Sequence, residues 1–118
     1  MNYIATHNSI TRGTAFPLVM EITELGDLTE WDVTFTMRTN ITSTGDPLLQ
    51  CDNEDLLYMR VTANKVTVNL SQLDTLDIPE NAKLVFIQLN FTKLAKTVAT
   101  EIYSLAVLPN IKKQDPVK

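Results

Sequence analysis

Few side chains in this sequence could act as a nucleophile or a base. The chain has one histidine, His7, and one cysteine, Cys51. His7 could serve as a general base, but its polar neighbours Asn8 and Ser9 favour an ordinary surface histidine. Acidic residues follow Cys51, and nearby negative charge raises the pKa of a thiol, so an unreactive thiol is favoured over a nucleophile. The sequence therefore predicts no catalytic residue, and we expect a protein that is not an enzyme.

The acidic run at Asp52, Glu54 and Asp55 is a second group of side chains that could carry out chemistry. Carboxylate oxygens in such loops can bind Ca²⁺. The run lacks the central glycine and the final glutamate of a calcium-binding loop, so a solvated loop is the favoured interpretation. Asp74 and Asp77 are expected to cap or brace a turn. The sequence has no glycine-rich phosphate loop, and it predicts neither a metal nor a cofactor.

Length and composition limit the number of domains. The chain has 118 residues, of which 44% are apolar and 20% are charged. These values are typical of one folded domain, and we expect it to span residues 1–111, with a flexible tail over 112–118. One cysteine excludes an internal disulfide. No apolar run approaches the roughly 20 residues of a membrane helix, and the first residues do not resemble a secretion signal, so we expect no membrane contact.

The charge is unevenly distributed along the chain. Residues 1–80 carry four basic and twelve acidic side chains, whereas residues 81–118 carry six basic and two acidic ones. An acidic chain is a poor binder of phosphate, so nucleic acid is not an expected partner. The asymmetry could help identical copies pack with unlike faces together. The favoured interpretation is that antiparallel strands from the two halves lie side by side and cancel locally.

Alternation of apolar and polar residues is the main structural signal, and it is typical of strands with one buried face. Thr, Val and Ile, which pack well in sheets, account for 33 residues. A final strand is expected over Thr100–Leu108 and a short opening strand over Tyr3–Ile10. The spacing of about seven strands predicts an antiparallel β-sandwich. The alternating inward sets begin at Phe16, Val33, Leu57, Val66 and Val85.

Three connections have recognisable signals. Ala63-Asn64 predicts a tight hairpin in which Asn64 can take a positive φ. Ser71–Leu76 could form one helical turn capped by Ser71. Lys93–Ile102 fits a helix by its apolar spacing, but its threonine content favours a hairpin at Lys93–Lys96.

Some apolar residues lie on the strand face opposite the one that is expected to be buried. Leu84 and Phe86 oppose Val85 and Ile87, and Leu56 and Tyr58 oppose Leu57 and Met59 in the same way. Strands that are apolar on both faces are covered on both, either by a local segment or by another subunit. Trp31 could be a core residue, which is favoured, or an anchor at an interface. A proline inside a strand pattern indicates an edge or a bulge. The candidate interface residues are thus Pro17, Trp31, Tyr58, Leu84 and Phe86.

Four segments follow one another in a recognisable order. A glycine-containing turn leads into an alternating strand, and Asp-Leu-Thr leads into a strand that ends in arginine. A corner that ends in proline comes next, and then a closing strand with its own proline. Together they resemble the small immunoglobulin-like domains of tailed-bacteriophage virions. The segments are Ile10–Leu18, Asp27–Arg38, Leu70–Pro79 and Leu105–Ile111.

The resemblance implies an immunoglobulin-like sandwich with a structural role. Such domains serve as accessory modules of the capsid, head fibre, tail or baseplate. They bind other virion proteins in many copies or as homo-oligomers, and they are assembled in the host cytoplasm. The alternative is a host-surface sandwich that binds carbohydrate or peptide, which requires exposed aromatic residues or a metal loop. An enzyme is the third and least favoured possibility.

Overall fold

Two β-sheets lie face to face in the computed structural model, which describes residues 4–5, 8–41 and 45–110. His7, with Tyr3 and Thr6 of the predicted opening strand, and the predicted tail at 112–118 lie outside the described residues. A single turn of 3₁₀ helix spans Leu28–Glu30, and the short helix α1 spans Gln72–Leu76. The strands are β1 (Ile4–Ala5), β2 (Ser9–Thr11), β3 (Phe16–Glu21), β4 (Asp32–Arg38), β5 (Leu49–Asp52), β6 (Met59–Val61), β7 (Lys65–Leu70), β8 (Leu84–Lys93), β9 (Lys96–Ala99) and β10 (Tyr103–Leu108).

The strand order is that of an immunoglobulin sandwich. The first sheet has the order β1-β3-β7-β6, and the second has β2-β10-β8-β4-β5 with β9 also paired to β8. These orders correspond to the immunoglobulin strands A-B-E-D and to G-F-C with an added C′ strand. The prediction of an all-β sandwich is confirmed. Its purely antiparallel character is wrong at one place, because β2 pairs with β10 in parallel. The opening segment contributes β1 to the first sheet and β2 to the second, and there it runs in the direction of the last strand.

The inward face of each sheet carries the core. Every second residue of β4 and β8 is buried, including Phe35 and Phe91, which are among the largest fully buried side chains. Trp31 meets the Phe91 ring edge-on, with 6.5 Å between the ring centroids. Burial of such large apolar surfaces is the main favourable contribution to folding. The alternating sets expected from the sequence are confirmed in β3, β4, β7 and β8.

The prediction of an inward set that begins at Leu57 is partly wrong. Leu56 and Leu57 are 82% and 92% exposed, and β6 begins only at Met59. The loop between β5 and β6 passes from one sheet to the other, so the leucines lie outside any ladder. β5 itself was not predicted, because a strand of four residues gives too few alternations to be recognised.

Both predicted hairpins are present, and the one at Lys93–Lys96 has the predicted bounds, but the turn at Ala63-Asn64 differs from the expectation. The β6–β7 hairpin closes with a hydrogen bond from Thr62 N to Lys65 O of 2.9 Å. Asn64 does not take a positive φ there; among the described residues other than glycine, only Leu94 does, with φ 55°. Leu94 lies in the turn between β8 and β9, so the helix considered for Lys93–Ile102 is not formed.

Hydrogen bonds from side chains fix the corner after β7. Ser71 and Asp74 form a capping box at the start of α1, which confirms the cap predicted from Ser71. Arg12 donates from Nε to Ile78 O at 2.8 Å and from Nη2 to Leu76 O at 3.0 Å. The buried Thr75 hydroxyl donates to Thr14 O at 2.8 Å. The turn after β2 is therefore joined to α1 and to the residues after it by side-chain hydrogen bonds to backbone carbonyl oxygens.

A bulge lies between β9 and β10, which pair with β8 one after the other. Asn90 lies opposite Ala99 and Ile87 lies opposite Tyr103, so three residues of one strand face two of the other. Thr100, which is 3% exposed, fills the gap. Its Oγ1 accepts a hydrogen bond from Leu89 N at 3.0 Å, and its own N–H donates to Leu89 O at 2.9 Å. The side chain thus replaces a backbone acceptor that the bulge displaces.

We predict that Thr100→Val destabilises the protein, because the buried N–H of Leu89 loses its acceptor. The expected loss is about 1–3 kcal/mol, measured by urea unfolding. Hydrogen exchange of the Leu89 amide should become faster in this variant. Thr100→Ser is the control, since it keeps the hydroxyl and should retain the protection of that amide. Unchanged Leu89 exchange in the valine variant would contradict the proposed role of the side chain.

Candidate interaction surface

Cys51 lies in β5 with its side chain in the core. Burial raises the pKa of the Cys51 thiol to about 11, and the negative charges of Asp55 and Asp52 add to the effect. The expected direction is confirmed, although burial contributes more than the neighbouring acids on which the sequence argument relied. The thiol is protonated at neutral pH, and a protonated thiol is a poor nucleophile.

The acidic run forms the first part of the β5–β6 loop. The Asp52 carboxylate accepts from Glu54 N at 2.9 Å, and the Asp55 carboxylate accepts from Asp52 N at 3.1 Å. Asn53 Oδ1 accepts from Val33 N at 3.3 Å and ties the loop to β4. In the described parts of the chain, no group of three or more His, Cys, Asp or Glu side chains is arranged to hold a metal ion. Two of the three carboxylates hold the loop in shape.

Three of the candidate interface residues differ in how far they are buried. Trp31 is only 8% exposed and belongs to the core, as favoured, so little of its ring is left for a partner. Tyr58 is half-buried, and the negative charge of Asp74 raises the pKa of its hydroxyl. Pro17 is exposed and lies opposite Asn69 of β7.

The Pro17 end of β3 is a sheet edge over the described residues. The described pairs between β1 and β3 reach only Met20 and Glu21, so β7 is the one described neighbour of Pro17. This position suits a residue that cannot donate a backbone hydrogen bond. Pro17 and Tyr58 lie on either side of Asn69 in the first sheet, since Asn69 pairs with Pro17 and its N–H donates to Tyr58 O at 2.7 Å. Trp31 lies apart from them in the core.

Leu84 and Phe86 lie together on the outer face of the second sheet. Phe86 is paired with Ser104 of β10 and with Arg38 of β4, and Leu84 is paired with Ala106. Two further apolar side chains extend this surface from a loop and from the bulge. We call the set of Ile41, Leu84, Phe86 and Ile102 the Phe86 face. Its three aliphatic members are 43–56% exposed, and Phe86 is half-buried.

Two hollows open beside Phe86. The smaller one, of about 110 Å³, is lined by Arg38, Ile41 and Ile102 among others. The larger one, of about 420 Å³, includes Lys83 and Leu84 in its lining. The charged residue that lines the smaller hollow is Arg38, and the one that lines the larger hollow is Lys83, so both are basic. This arrangement of apolar side chains around shallow hollows can receive apolar groups of another protein.

Ile41 and Ile102 were not recognised from the sequence, for different reasons. Ile41 follows β4 in a polar loop, where no periodic pattern exists to assign its direction. Ile102 could have been found, because alternation counted back from the buried Leu105 places it on the outer face with Ser104. The bulge at Thr100 changes the phase of the pattern and hides this relation.

No protein-family model matches the chain, and a search of curated proteins finds no match. Over the residues that the structure describes, no helix has the length and apolar character needed to cross a membrane.

The raised pKa of Cys51 predicts a loss of stability at alkaline pH. The thiol ionises near pH 9 in the unfolded chain and near 11 in the folded one. Between these values the folded state binds the extra proton, so the free energy of unfolding falls as pH rises, by at most about 1.4 kcal/mol per pH unit. Urea unfolding of the wild type and of Cys51→Ala at several pH values measures the difference. Equal slopes for the two proteins between pH 9 and 11 would refute the assignment.

Proposed function

We propose that this protein is a non-enzymatic accessory module of a tailed-phage virion and that it binds neighbouring virion proteins through the Phe86 face. The carrying observation is the apolar surface on the outer side of the second sheet. A sheet that faced only water would alternate between apolar inward residues and polar outward ones. β8 departs from this rule at its start, where the outward residues Leu84 and Phe86 are apolar.

The composition of the face suits a protein partner. Apolar side chains lie at its centre, and polar side chains such as Thr36 and Gln88 lie beside them. Protein interfaces commonly combine an apolar centre with a polar rim. Burial of the exposed parts of Leu84, Ile41 and Ile102 would remove apolar surface from water at about 25 cal/mol per Å². A partner bound there would cover the outer face of β8, as expected for a strand that is apolar on both faces.

The virion context is supported by the fold and by the ordered resemblance of four segments. The strand order agrees with the immunoglobulin-like architecture that the resemblance implies. We expect many copies per particle, placed on the head, tail or baseplate after assembly in the host cytoplasm. The alternative host-ligand function draws no support from Trp31, because that ring is buried.

We predict that Phe86→Gln reduces incorporation into virions by about tenfold or more, since a half-buried aromatic ring at the centre of an interface is a common energetic hot spot. The measurement is the amount of tagged protein that sediments with purified particles in a phage-infected culture. Leu73→Gln is the control, because Leu73 is an exposed apolar residue of α1 that lines neither hollow of the Phe86 face.

Two results would count against the proposed function. One is incorporation of Phe86→Gln at the wild-type level. The other is absence of the wild-type protein from purified particles. A glycan or peptide array in which the wild type binds and Phe86→Gln does not would instead favour the host-ligand alternative.

A further inference from the structure

The turn between β8 and β9 holds an apolar residue in an unfavourable conformation. Leu94 has φ 55°, and its side chain is 96% exposed. The left-handed region is costly for leucine, and a positive φ at the first position of a two-residue hairpin turn normally selects glycine. An exposed side chain gains no packing within the chain that would offset this cost. Such outliers cluster at functional sites, among them sites that clamp a ligand.

Positive charge flanks this leucine. Lys93 and Lys96 are the last residue of β8 and the first of β9, and both are exposed. Lys93 Nζ lies 2.8 Å from Glu30 Oε2 and 5.7 Å from the centroid of the Trp31 ring. We call Lys93, Leu94, Ala95 and Lys96 the hairpin tip. It presents a leucine side chain between two ammonium groups, one of which is held in place.

A surface of opposite character lies nearby. A hollow of about 160 Å³ is lined by three carboxylate residues, Asp32, Asp52 and Glu54, together with polar and apolar groups. Asn53 also lines an adjoining hollow of about 380 Å³, in which Leu56 and Met59 supply apolar surface and Arg60 is the basic residue. We call the two hollows together the acidic corner. It offers apolar lining next to a cluster of negative charges.

The tip and the corner lie at the same end of the molecule. Asp32 pairs with Thr92, directly before the tip, and Asp52 pairs with Thr34 on the next strand. With about 4.8 Å between neighbouring strands, about 10 Å separates β8 from β5. Two copies related by a two-fold axis between these features can place each tip against the corner of the other copy. A two-fold interface requires this kind of reciprocal arrangement.

We propose that the hairpin tip of one copy docks in the acidic corner of a second copy and that the protein forms a symmetric dimer. The inference rests on the proposed function as an assembly module, but it uses a surface separate from the Phe86 face. Leu94 would contact Leu56 and the apolar lining, and the lysines would face the carboxylates.

Leu94→Asn tests the role of the leucine. Asparagine tolerates the left-handed region, so the variant should unfold at a midpoint about 3–6 °C higher in dilute solution. Its dimer dissociation constant in analytical ultracentrifugation should be about tenfold higher or more. A rise in stability together with a loss of association distinguishes a contact residue from a merely structural one. Leu73→Gln on α1, at the opposite end of the sandwich, is the control and should leave association unchanged.

A charge swap tests the pairing of the two surfaces. Glu54 is suitable because Asp52 and Asp55, not the Glu54 side chain, supply the carboxylates that hold the loop. Lys96→Glu and Glu54→Lys should each weaken association by about tenfold, and the double variant should restore most of it. Association of the wild type should also weaken as salt rises from 0.05 to about 0.5 M.

The outcomes separate this inference from the proposed function. A wild type that stays monomeric up to millimolar concentration overturns the dimer, as does a Leu94→Asn variant that associates normally. Association by the Phe86→Gln variant at the wild-type level, combined with its loss from virions, supports both proposals. Loss of association in Phe86→Gln but not in Leu94→Asn assigns the self-contact to the Phe86 face and overturns the inference alone.

Discussion

Exclusion of water from the space between two sheets is the constraint on which this structure depends. The inward residues of β3, β4, β7 and β8 are buried almost without exception, and the largest of them, such as Phe35 and Phe91, come from the central strands of the second sheet. Because strand residues alternate between faces, burial of one set forces the other set outward. The Phe86 face is therefore a consequence of core formation acting on a sequence whose outward set includes apolar residues.

Burial of the core also buries backbone groups, and polar side chains supply the partners that the ladders lack. Thr100 accepts from Leu89 at the bulge, and Arg12 donates to two carbonyl oxygens at the end of α1. In the loop that joins the sheets, Asp52 and Asp55 accept from exposed backbone N–H groups and so fix the path of the chain. An unpaired buried N–H or C=O costs more than a typical hydrogen bond contributes, so these few residues determine where the connections run.

The sequence predicts those features that depend on repeated local patterns. Long alternating strands such as β4 and β8 were predictable, as was the cap at Ser71, because each has its signal within a few residues. β5 was too short for a pattern, and the exposure of Leu57 depends on where the chain leaves one sheet for the other. The positive φ was expected at Asn64 by residue type but occurs at Leu94, since turn conformation follows strand register. Leu84 and Phe86 were recognised as outward apolar residues, whereas Ile41 required the path of a loop.

The parallel pairing of β2 with β10 has a mechanical consequence. Since both strands run the same way, the chain enters this pair at one end of the sandwich and leaves it at the other. Tension along the polypeptide would pull the two strands past each other and load their hydrogen bonds together, including Ala106 N to Asn8 O and Arg12 N to Leu108 O. Bonds loaded side by side share the force, whereas a hairpin pulled from its open end breaks one bond at a time. The domain is thus built to resist stretching along its own axis.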